Sequence, residues 1–381
     1  MHRAHKIRLV PTVAQEIILG KTCGTVRFVY NWAKAEWEKM YEEYKKSGKT
    51  TERPSAYTLS RKWTVERPEW SKEVARFPQT MAILNLGKAY LNFWNKKAKA
   101  PAFKKKGAKD SFVLGNSKCR CDRRKVYLQG VGWVKMREEL RFSGKILSYT
   151  VSGKAGQWHV SIQVDVPDSP KPENPSVVGI DVGIKALAVA SDGTTCENPL
   201  TLLRKQKYLA RVQRKLSRQV KGSNRRKRTK LRISTIHLKI ANLRQDLIHK
   251  FTSAVAKNHG TAVIETLDVQ GMAEEGSKSL RRLLQSTAMR EVHRQLEYKM
   301  VAIIKAPQYF ASSKTCSSCG KKKPEFPCHI RTYKCEHCGR VMDRDANAAL
   351  NLKNMPWVTG CMRGKGATAP VHRETVNPSA S

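Results

Sequence analysis

The chain is short of negative charge. Among its 381 residues, 73 are Lys or Arg and only 31 are Asp or Glu, which gives a formal net charge of +42. Such an excess of cations requires a polyanionic partner, either a membrane surface or nucleic acid. Because no apolar run approaches the roughly 18 residues of a spanning helix and no signal-peptide core is visible, we expect no membrane partner. Aromatic residues scattered among the basic ones favour nucleic acid, since bases can stack on them.

The sequence also lacks a disulfide framework and an internal repeat of solenoid period. Ten cysteines are present, of which four form two C-x-x-C pairs. The remaining six show no paired spacing: Cys23, Cys119, Cys121, Cys196, Cys328 and Cys361. This usage predicts a reducing cytoplasm and one metal site. The length predicts two to four domains.

The N-terminal half predicts helices followed by a small β-barrel. A strand at residues 6–11 precedes apolar patterns that predict helices over 12–46, 55–66 and 78–97. Residues 96–109 then hold seven lysines and no acid. Six short segments predict the strands of the barrel: SFVLG, KVYLQ, GWVKM, LRF, ILSYTVS and WHVSIQVDV. The proline-rich stretch 167–175 is the best candidate for a domain linker.

The C-terminal half alternates buried strands with basic helices. Residues 177–190 predict a strand, a tight turn and a second strand, and residues 261–269 predict another strand. Residues 201–250 hold 17 Lys or Arg and one acid, and their apolar spacing predicts two amphipathic helices with a break near 221–224. The basic face of these helices either binds the phosphates of a nucleic acid backbone or is only exposed to solvent, and the charge excess favours phosphate binding. A helix is predicted over 279–304, and a disordered tail begins near Pro356.

Two C-x-x-C pairs predict a structural zinc site. Fifteen residues separate the pair Cys316 and Cys319 from the pair Cys335 and Cys338, and a glycine follows each pair. Two such pairs supply four thiolates to one tetrahedral ion, and a site closed by four thiolates is structural and not catalytic. Three nearby residues are weaker ligand candidates: Cys328, His329 and His337.

Three carboxylates interrupt or border apolar segments. Asp181 and Glu265 fall within predicted strands, where an unpaired carboxylate is costly, and Asp345 lies at a predicted helix start that Asp343 could cap. Each carboxylate alone is weak evidence. Together, in a protein that binds nucleic acid, they predict ligands for Mg²⁺, and two such ions can promote phosphodiester hydrolysis.

These motifs resemble the TnpB family of transposon-encoded RNA-guided DNA nucleases, which are similar to compact type V CRISPR effectors. The resemblance is carried by GIDVGIKALAVASDG, AVIETLDVQGM and CSSCG…YKCEHCGRVMDRDANAALNL, and it extends to about Lys353. It implies a multidomain α+β protein with an RNase H-like (RuvC) nuclease domain and an inserted zinc ribbon, preceded by a small β-barrel that a helical recognition domain interrupts. The predicted domains are the barrel (1–11 and 101–170), the helical domain (12–100), the nuclease (171–310 and 341–355), the ribbon (311–340) and the tail (356–381).

The resemblance further implies a function. Asp181, Glu265 and Asp345 would form the catalytic triad with about two Mg²⁺ ions, beside one structural Zn²⁺. A guide RNA from the transposon right end would direct cleavage of double-stranded DNA next to a short transposon-adjacent motif. The expected nucleic-acid contacts are Tyr57, Arg76, Phe77, Thr80, Lys104, Lys105, Arg211, Arg214, Arg218, Arg225 and Arg226. The sequence does not give the oligomeric state, for which a monomer is the default expectation.

Two other functions stay open at this point. A nuclease-inactive RNA-guided repressor would share the fold, although the complete set of carboxylates disfavours it. A carboxylate-triad transposase acting without RNA would share the RNase H-like fold and the three acids, although the zinc ribbon just before the third acid disfavours it.

Overall fold

The structure is a computed structural model of the chain. It describes residues 2–107, 110–115, 120–167, 174–184, 186–197, 200–278, 281, 284, 288–308, 310–327 and 329–355, and the side chains of 200–203 lie outside this description. The predicted tail and most of the predicted linker also lie outside it. The chain forms two compact units, Met1–Ser169 with Arg218–Leu238, and Pro170–Ser217 with Lys239–Ser381. In the described ranges, none of the helices has the length and apolar character needed to cross a membrane.

Helices of the first unit confirm the three predicted helical segments. Strand β1 (His2–Val10) leads directly into α1 (Val13–Lys46), which is followed by α2 (Ala56–Glu66), a 3-10 helix (Glu69–Glu73) and α3 (Arg76–Trp94). α1 begins at a capping box, because the Thr12 hydroxyl accepts from the Gln15 N–H and the Gln15 side chain accepts from the Thr12 N–H. Trp37 of α1 stacks on Tyr90 of α3 with ring centroids 4.7 Å apart.

Seven antiparallel strands form the sheet of the first unit. They are β1, β2 (Asp110–Gly115), β3 (Arg120–Asp122), β4 (Lys125–Leu128), β5 (Gly132–Met136), β6 (Lys145–Lys154) and β7 (Gln157–Asp165), in the order β2-β6-β7-β1-β5-β4-β3. The sheet curls, since Cys121 Sγ of edge strand β3 lies 3.3 Å from the Tyr149 hydroxyl of β6. Its concave face packs on α1 and α3 in one hydrophobic core. Closure into a barrel stays a prediction.

Five strands form the sheet of the second unit. They are β8 (Val177–Asp181), β9 (Ala186–Ala190), β10 (Thr195–Glu197), β11 (Thr261–Ile264) and β12 (Ala302–Lys305), in the order β10-β9-β8-β11-β12. Strands β8, β11 and β12 are mutually parallel, whereas β9 is antiparallel to both of its neighbours, β8 and β10. The predicted strand, turn and strand over 177–190 are therefore confirmed.

Helices α4 (Leu200–Ser217) and α5 (Asn224–Asn258) confirm the predicted pair of basic helices and the break between them. The second unit also contains α6 (Val269–Glu275), α7 (Met289–Lys299) and α8 (Arg344–Lys353). Its core joins strands β8, β9 and β11 to α7 and the later turns of α5. The helix α8 packs against β8 at Gly179, where an added Cβ would lie 2.0 Å from the Ala349 carbonyl oxygen.

Two predictions of local structure are wrong. The segment LRF (140–142) does not form a strand, because it bends so that the Arg141 N–H donates to His5 Nδ1 at 3.3 Å. The helix predicted over 279–304 is too long: α7 ends at Lys299, and residues 302–305 form β12. The β-branched residues Ile303 and Ile304 favour a strand, and pairing with β11 satisfies their backbone groups.

Candidate active site and four-cysteine site

The three predicted carboxylates line one pocket of the second unit. Asp181 is the last residue of β8, Glu265 directly follows the end of the parallel strand β11, and Asp345 lies in the first turn of α8. The pocket has a volume of about 230 Å³. The prediction that Glu265 interrupts a strand is therefore wrong in detail, since the strand ends one residue earlier. Carboxyl ends of adjacent parallel strands meet at one edge of a sheet, which brings Asp181 and Glu265 together.

Capping fixes the third carboxylate. The Asp343 side chain accepts from the N–H groups of Asp345 and Ala346 at 2.9 and 3.2 Å, so Asp343 is the N-cap of α8, as predicted. Asp345 is consequently free to face the pocket. Gly183 lies beside it, because an ideal Cβ on that glycine would be 4.0 Å from Asp345 Oδ2.

Burial and nearby negative charge make two of these carboxylates, Asp181 and Glu265, difficult to ionise. Burial, followed by the nearby charges of Glu265 and Asp345, raises the pKa of Asp181 well above its ordinary value. Burial also raises the pKa of Glu265, against the opposing effect of a hydrogen bond from the Ser312 hydroxyl. A cation in the pocket would relieve both effects, since opposite charge stabilises the ionised form. The donor set of hard oxygens fits a divalent ion such as Mg²⁺.

Two arginines that sequence reasoning missed also line the pocket. Arg331 Nη1 lies 3.4 Å from Asp345 Oδ1. The Arg344 guanidinium sits 5.0 Å above the Phe326 ring and donates to the Pro327 carbonyl oxygen at 3.0 Å. In the sequence, only the position of Arg344 directly before Asp345 could have indicated that it lines the pocket. Arg331 had no such signal, because only the fold brings it to the carboxylates.

The two C-x-x-C pairs form one cluster. The thiol sulfurs of Cys316, Cys319, Cys335 and Cys338 all lie within 4.8 Å of one another. Two of the separations are 3.7 Å, between Cys316 and Cys338, and 3.6 Å, between Cys319 and Cys335. A tetrahedral zinc ion with Zn–S bonds of about 2.3 Å places its sulfurs about 3.8 Å apart, so the geometry fits such an ion.

The backbone around Cys335 favours its thiolate. The N–H groups of Cys338 and His337 lower the pKa of Cys335 to about 6. Gly320 and Gly339 adopt φ of +73° and +69°, and their N–H groups donate to the carbonyls of Cys316 and Cys335. These left-handed turns explain the glycine after each pair. Of the weaker candidates, His329 and His337 do not join the cluster among the described residues, and Cys328 lies outside them.

Two buried asparagines of α8 connect residues 311–340, which we call the four-cysteine segment, to the carboxylate pocket. The Asn347 amide donates to the Thr315 carbonyl at 2.7 Å and accepts from the Ser317 N–H at 3.0 Å. The Asn351 amide donates to the Ser312 carbonyl at 2.7 Å. Since Ser312 donates to Glu265, the cysteine segment helps to orient a carboxylate of the pocket.

Three family models match successive parts of the chain. One described as "Probable transposase" matches residues 159–275, and one described as "Cas12f1-like, TNB domain" matches residues 290–352. A third, described as "Helix-turn-helix domain", matches residues 1–46. That segment is here a strand followed by a single 34-residue helix.

Relatives match almost the whole chain. The "Putative RNA-guided DNA endonuclease InsQ" of Escherichia coli (strain K12) is 32% identical over 374 residues, covering 92% of this chain and 91% of that protein. A protein of Streptomyces pristinaespiralis, also named as an RNA-guided DNA endonuclease, is 31% identical over 363 residues, with coverages of 92% and 88%. The chain belongs to the TnpB family. A solved Cas12f1–sgRNA–target DNA complex matches this family member at 19% identity, with a TM-score of 0.34 and coverages of 93% and 99%.

The nucleic-acid contacts expected from the TnpB resemblance have varied surroundings, and their roles stay predictions. Tyr57 is 74% exposed, whereas the Arg76 guanidinium donates to the Thr64 hydroxyl at 2.9 Å and the Phe77 ring packs on Gly115. Thr80 is half-buried.

Among the remaining basic residues of this set, two are engaged by the protein itself. The Lys104 ammonium lies 3.8 Å from the centroid of the Tyr30 ring, and burial lowers its pKa. Arg226 donates to the Gln219 carbonyl at 2.7 Å. The others are exposed: Lys105, Arg211, Arg214, Arg218 and Arg225.

Proposed function

We propose that this chain is an RNA-guided DNA endonuclease of a transposable element. The proposal rests chiefly on one observation: a TnpB-family chain brings three half-buried carboxylates to one pocket. The net charge of +42 supports polyanionic partners, a guide RNA and double-stranded target DNA. The names of the two full-length relatives describe the same activity.

The nuclease domain is proposed to be RNase H-like. In support, the strand order of the sheet is β10-β9-β8-β11-β12. Strand β8, which ends at the carboxylate Asp181, lies between the antiparallel strand β9 and the parallel strand β11. The first unit would contribute the barrel and the helical recognition domain. Tyr57, Arg76, Phe77 and Thr80 would approach a short motif next to the target, and Tyr57 is accessible for such a contact, since it is 74% exposed.

Asp181, Glu265 and Asp345 would hold divalent cations, about two Mg²⁺ ions. When bound, such ions activate a water and stabilise the leaving oxygen at a phosphodiester. The chain orients the ligands through the Ser312 hydroxyl on Glu265 and the Asp343 cap beneath Asp345. Arg331 and Arg344 supply positive charge where a phosphate would enter, which favours the anionic transition state. Zn²⁺ on the four cysteines would be structural.

Substitution at Asp181 tests the endonuclease proposal. The protein should be purified from cells that carry its native flanking DNA, and the RNA that accompanies it should be sequenced. With that RNA and Mg²⁺, wild type should cut matching double-stranded DNA, and Asp181→Ala should cut at least about a hundredfold more slowly. Loss of a residue that hydrogen-bonds to a metal ligand lowers activity by about 10–100-fold, and loss of the ligand itself should lower it further. RNA and DNA binding should persist in the variant. Unchanged cleavage by clean Asp181→Ala would reject the assignment.

Two alternatives have distinct outcomes in the same assay. Wild type that binds RNA and target but never cuts would indicate an RNA-guided repressor. The family model described as "Probable transposase" supports direct action on transposon ends. Strand transfer without RNA would favour that transposase.

A further inference from the structure

One outward sheet surface of the first unit has no role in the proposed chemistry. We define the outer β3–β5 face by Arg120, Lys125, Tyr127, Trp133 and Lys135. Their neighbours in sequence point inward, since Val126, Leu128, Val134 and Met136 are all buried. Strict alternation therefore directs the defining residues of β4 and β5 to the opposite side of the sheet.

An aromatic pair lies at the centre of this face. Tyr127 and Trp133 are directly opposite each other in the β4–β5 ladder, with ring centroids 5.6 Å apart and planes inclined at 67°. Trp133 is 46% exposed. Arg120 of β3 is the register partner of Tyr127 on its other side. An exposed indole braced by a second ring offers a surface on which a planar group can stack.

Unbalanced positive charge surrounds the aromatic pair. Lys125 and Lys135 are direct cross-strand partners, and like charges in this position destabilise a sheet. Neither lysine forms an ion pair within the part of the chain that the structure describes. Asp122 is the register partner of Lys125 and the only acid of β3 to β5. The arrangement costs stability in the free protein and suits an anionic ligand.

We propose that the outer β3–β5 face binds unpaired nucleotides of the guide RNA. One base stacks on the Trp133 indole, and neighbouring phosphates pair with Lys125, Lys135 and Arg120. Stacking on aromatic side chains together with a cationic surround is how sheet surfaces hold single strands. This inference rests on the proposed function, because it takes the guide RNA as the partner.

RNA fits this face better than duplex DNA does. In a duplex the bases are stacked on each other and cannot reach an indole, whereas unpaired loops and ends of RNA can. The guide RNA is also bound before any target is opened, so its nucleotides are the first unpaired bases that the protein meets. The displaced DNA strand is the alternative occupant that the experiment must separate.

Truncation of the indole is the first test. The affinity of RNA-free protein for the co-purified guide RNA is measured at fixed salt for Trp133→Ala, Trp133→Phe and Trp70→Ala. Loss of one stacked base predicts a roughly tenfold weaker Kd for Trp133→Ala, with much of the affinity retained in Trp133→Phe. Trp70→Ala is the matched control, because Trp70 is similarly exposed, at 45%, and belongs to the 3-10 helix and not to the strands of this face. Equal affinity of Trp133→Ala and wild type would overturn the proposal.

Removal of one lysine charge is the second test, because it should weaken RNA binding and stabilise the RNA-free protein. Lys135→Gln should weaken RNA binding and lower the salt slope by about one, because one phosphate contact is lost. In RNA-free protein the same change should raise Tm, because it removes the like-charge pair with Lys125. Reduced RNA affinity together with a reduced Tm would indicate structural damage and contradict the proposal.

The outcomes also separate this inference from the proposed function. If wild type neither carries nor binds a specific RNA, the proposed function fails. If wild type binds guide RNA and the Trp133 variants bind it equally, only this inference fails. Unchanged RNA affinity together with weakened retention of single-stranded DNA would assign the face to the displaced strand instead, which also overturns it.

Discussion

The two sheets of this protein differ in what they leave exposed. Strands β4 and β5 alternate between buried and exposed residues, so the seven-stranded sheet has one face toward solvent. In β8, by contrast, residues 177–180 are all buried, and the five-stranded sheet is covered on both sides. A sheet with an open face can bind a ligand along its strands, whereas a covered sheet can act only at its strand ends. The carboxylate pocket at the ends of β8 and β11 follows from this limit.

A second difference concerns dependence on neighbours. The pocket is completed by α8 and by the four-cysteine segment, which contribute Asp345, Ser312 and Arg331. The outer β3–β5 face takes all its defining residues from its own strands. Substitutions near the pocket should therefore affect stability and cleavage together. Substitutions on the open face should weaken binding without lowering stability, and the following predictions sharpen that contrast.

The largest effect is expected from loss of the four-cysteine site. Cys316→Ser removes one of four thiolates, so metal-coupled folding of the segment is lost, a free energy on the order of 10 kcal/mol in isolated zinc modules. Hydrogen exchange should increase in the second unit and not in the seven-stranded sheet, and bound zinc should fall in metal analysis. Cys196→Ser, outside the cluster, is the control for zinc content. Full zinc content and unchanged exchange in Cys316→Ser would contradict the site.

Gly179→Ala should be the next most damaging change. Its Cβ would meet the Ala349 carbonyl oxygen at 2.0 Å, and backbone in α8 cannot yield as a flexible side chain can. We expect a loss of about 3 kcal/mol in the free energy of unfolding, measured with denaturant. Gly20→Ala is the control, because its Cβ meets nothing within 4 Å and helix propensity favours alanine. A Gly179→Ala protein as stable as wild type would mean that α8 does not pack tightly on β8.

Asn347→Ala should cost somewhat less, about 2 kcal/mol. The substitution leaves the Ser317 N–H without its partner at a partly buried position, whereas the Thr315 carbonyl keeps only the hydrogen bond that it accepts from Asn351 at 2.7 Å. Cleavage should fall as well, since the segment that orients Ser312 loosens. Denaturant unfolding and cleavage rates should be compared with those of Asn354→Ala, which changes an exposed residue at the C-terminal end of the same helix. Equal behaviour of the two variants would contradict the connection.

The smallest effect is expected on the solvent side of α7, which covers the five-stranded sheet. Hydrogen bonds from Arg294, together with a smaller one from Gln295, lower the pKa of Glu291 to about 2. A lowered pKa stabilises the fold above the ordinary value of 4.5, and this contribution is lost as the pH falls towards 2. Glu291→Gln should therefore lose about 1 kcal/mol at pH 7, and the difference from wild type should vanish near pH 2.

Urea unfolding between pH 7 and pH 2 measures this difference. Glu297→Gln, on the same helix, is the matched control, because Glu297 forms a more exposed ion pair, with 3.3 Å between its Oε1 and Lys305 Nζ. A difference for Glu291→Gln that grows as the pH falls would contradict the assigned sign.

Local patterns in the sequence predicted much of this molecule. The two C-x-x-C pairs and their glycines identified the cysteine cluster, because all four ligands lie in two short turns. Asp181 was found because a carboxylate in an apolar strand is energetically unexpected. Apolar periodicity after the strand at 6–11 located α1 almost to the residue. The resemblance to the TnpB family is confirmed, and the catalytic role of the carboxylates stays a prediction.

Features that depend on distant pairing were missed. Residues 302–305 are ambiguous by periodicity and become a strand only because β11 offers a free edge. Ser312 and Arg331 carry no local signal, since their function depends on which carboxylate the fold brings near them. Lys125 and Lys135 are unremarkable in a basic chain, and only the strand register makes them direct partners.

The position of Asp345 has a consequence for synthesis of the chain on the ribosome. All seven strands of the first sheet precede residue 166, whereas the third carboxylate follows the cysteine segment near the end of the described chain. Because folding during translation proceeds from the N-terminus, the first sheet can form while the carboxylate pocket still lacks Asp345. Under the roles proposed above for the sheet and the pocket, a nascent chain would engage RNA before it is able to cut DNA.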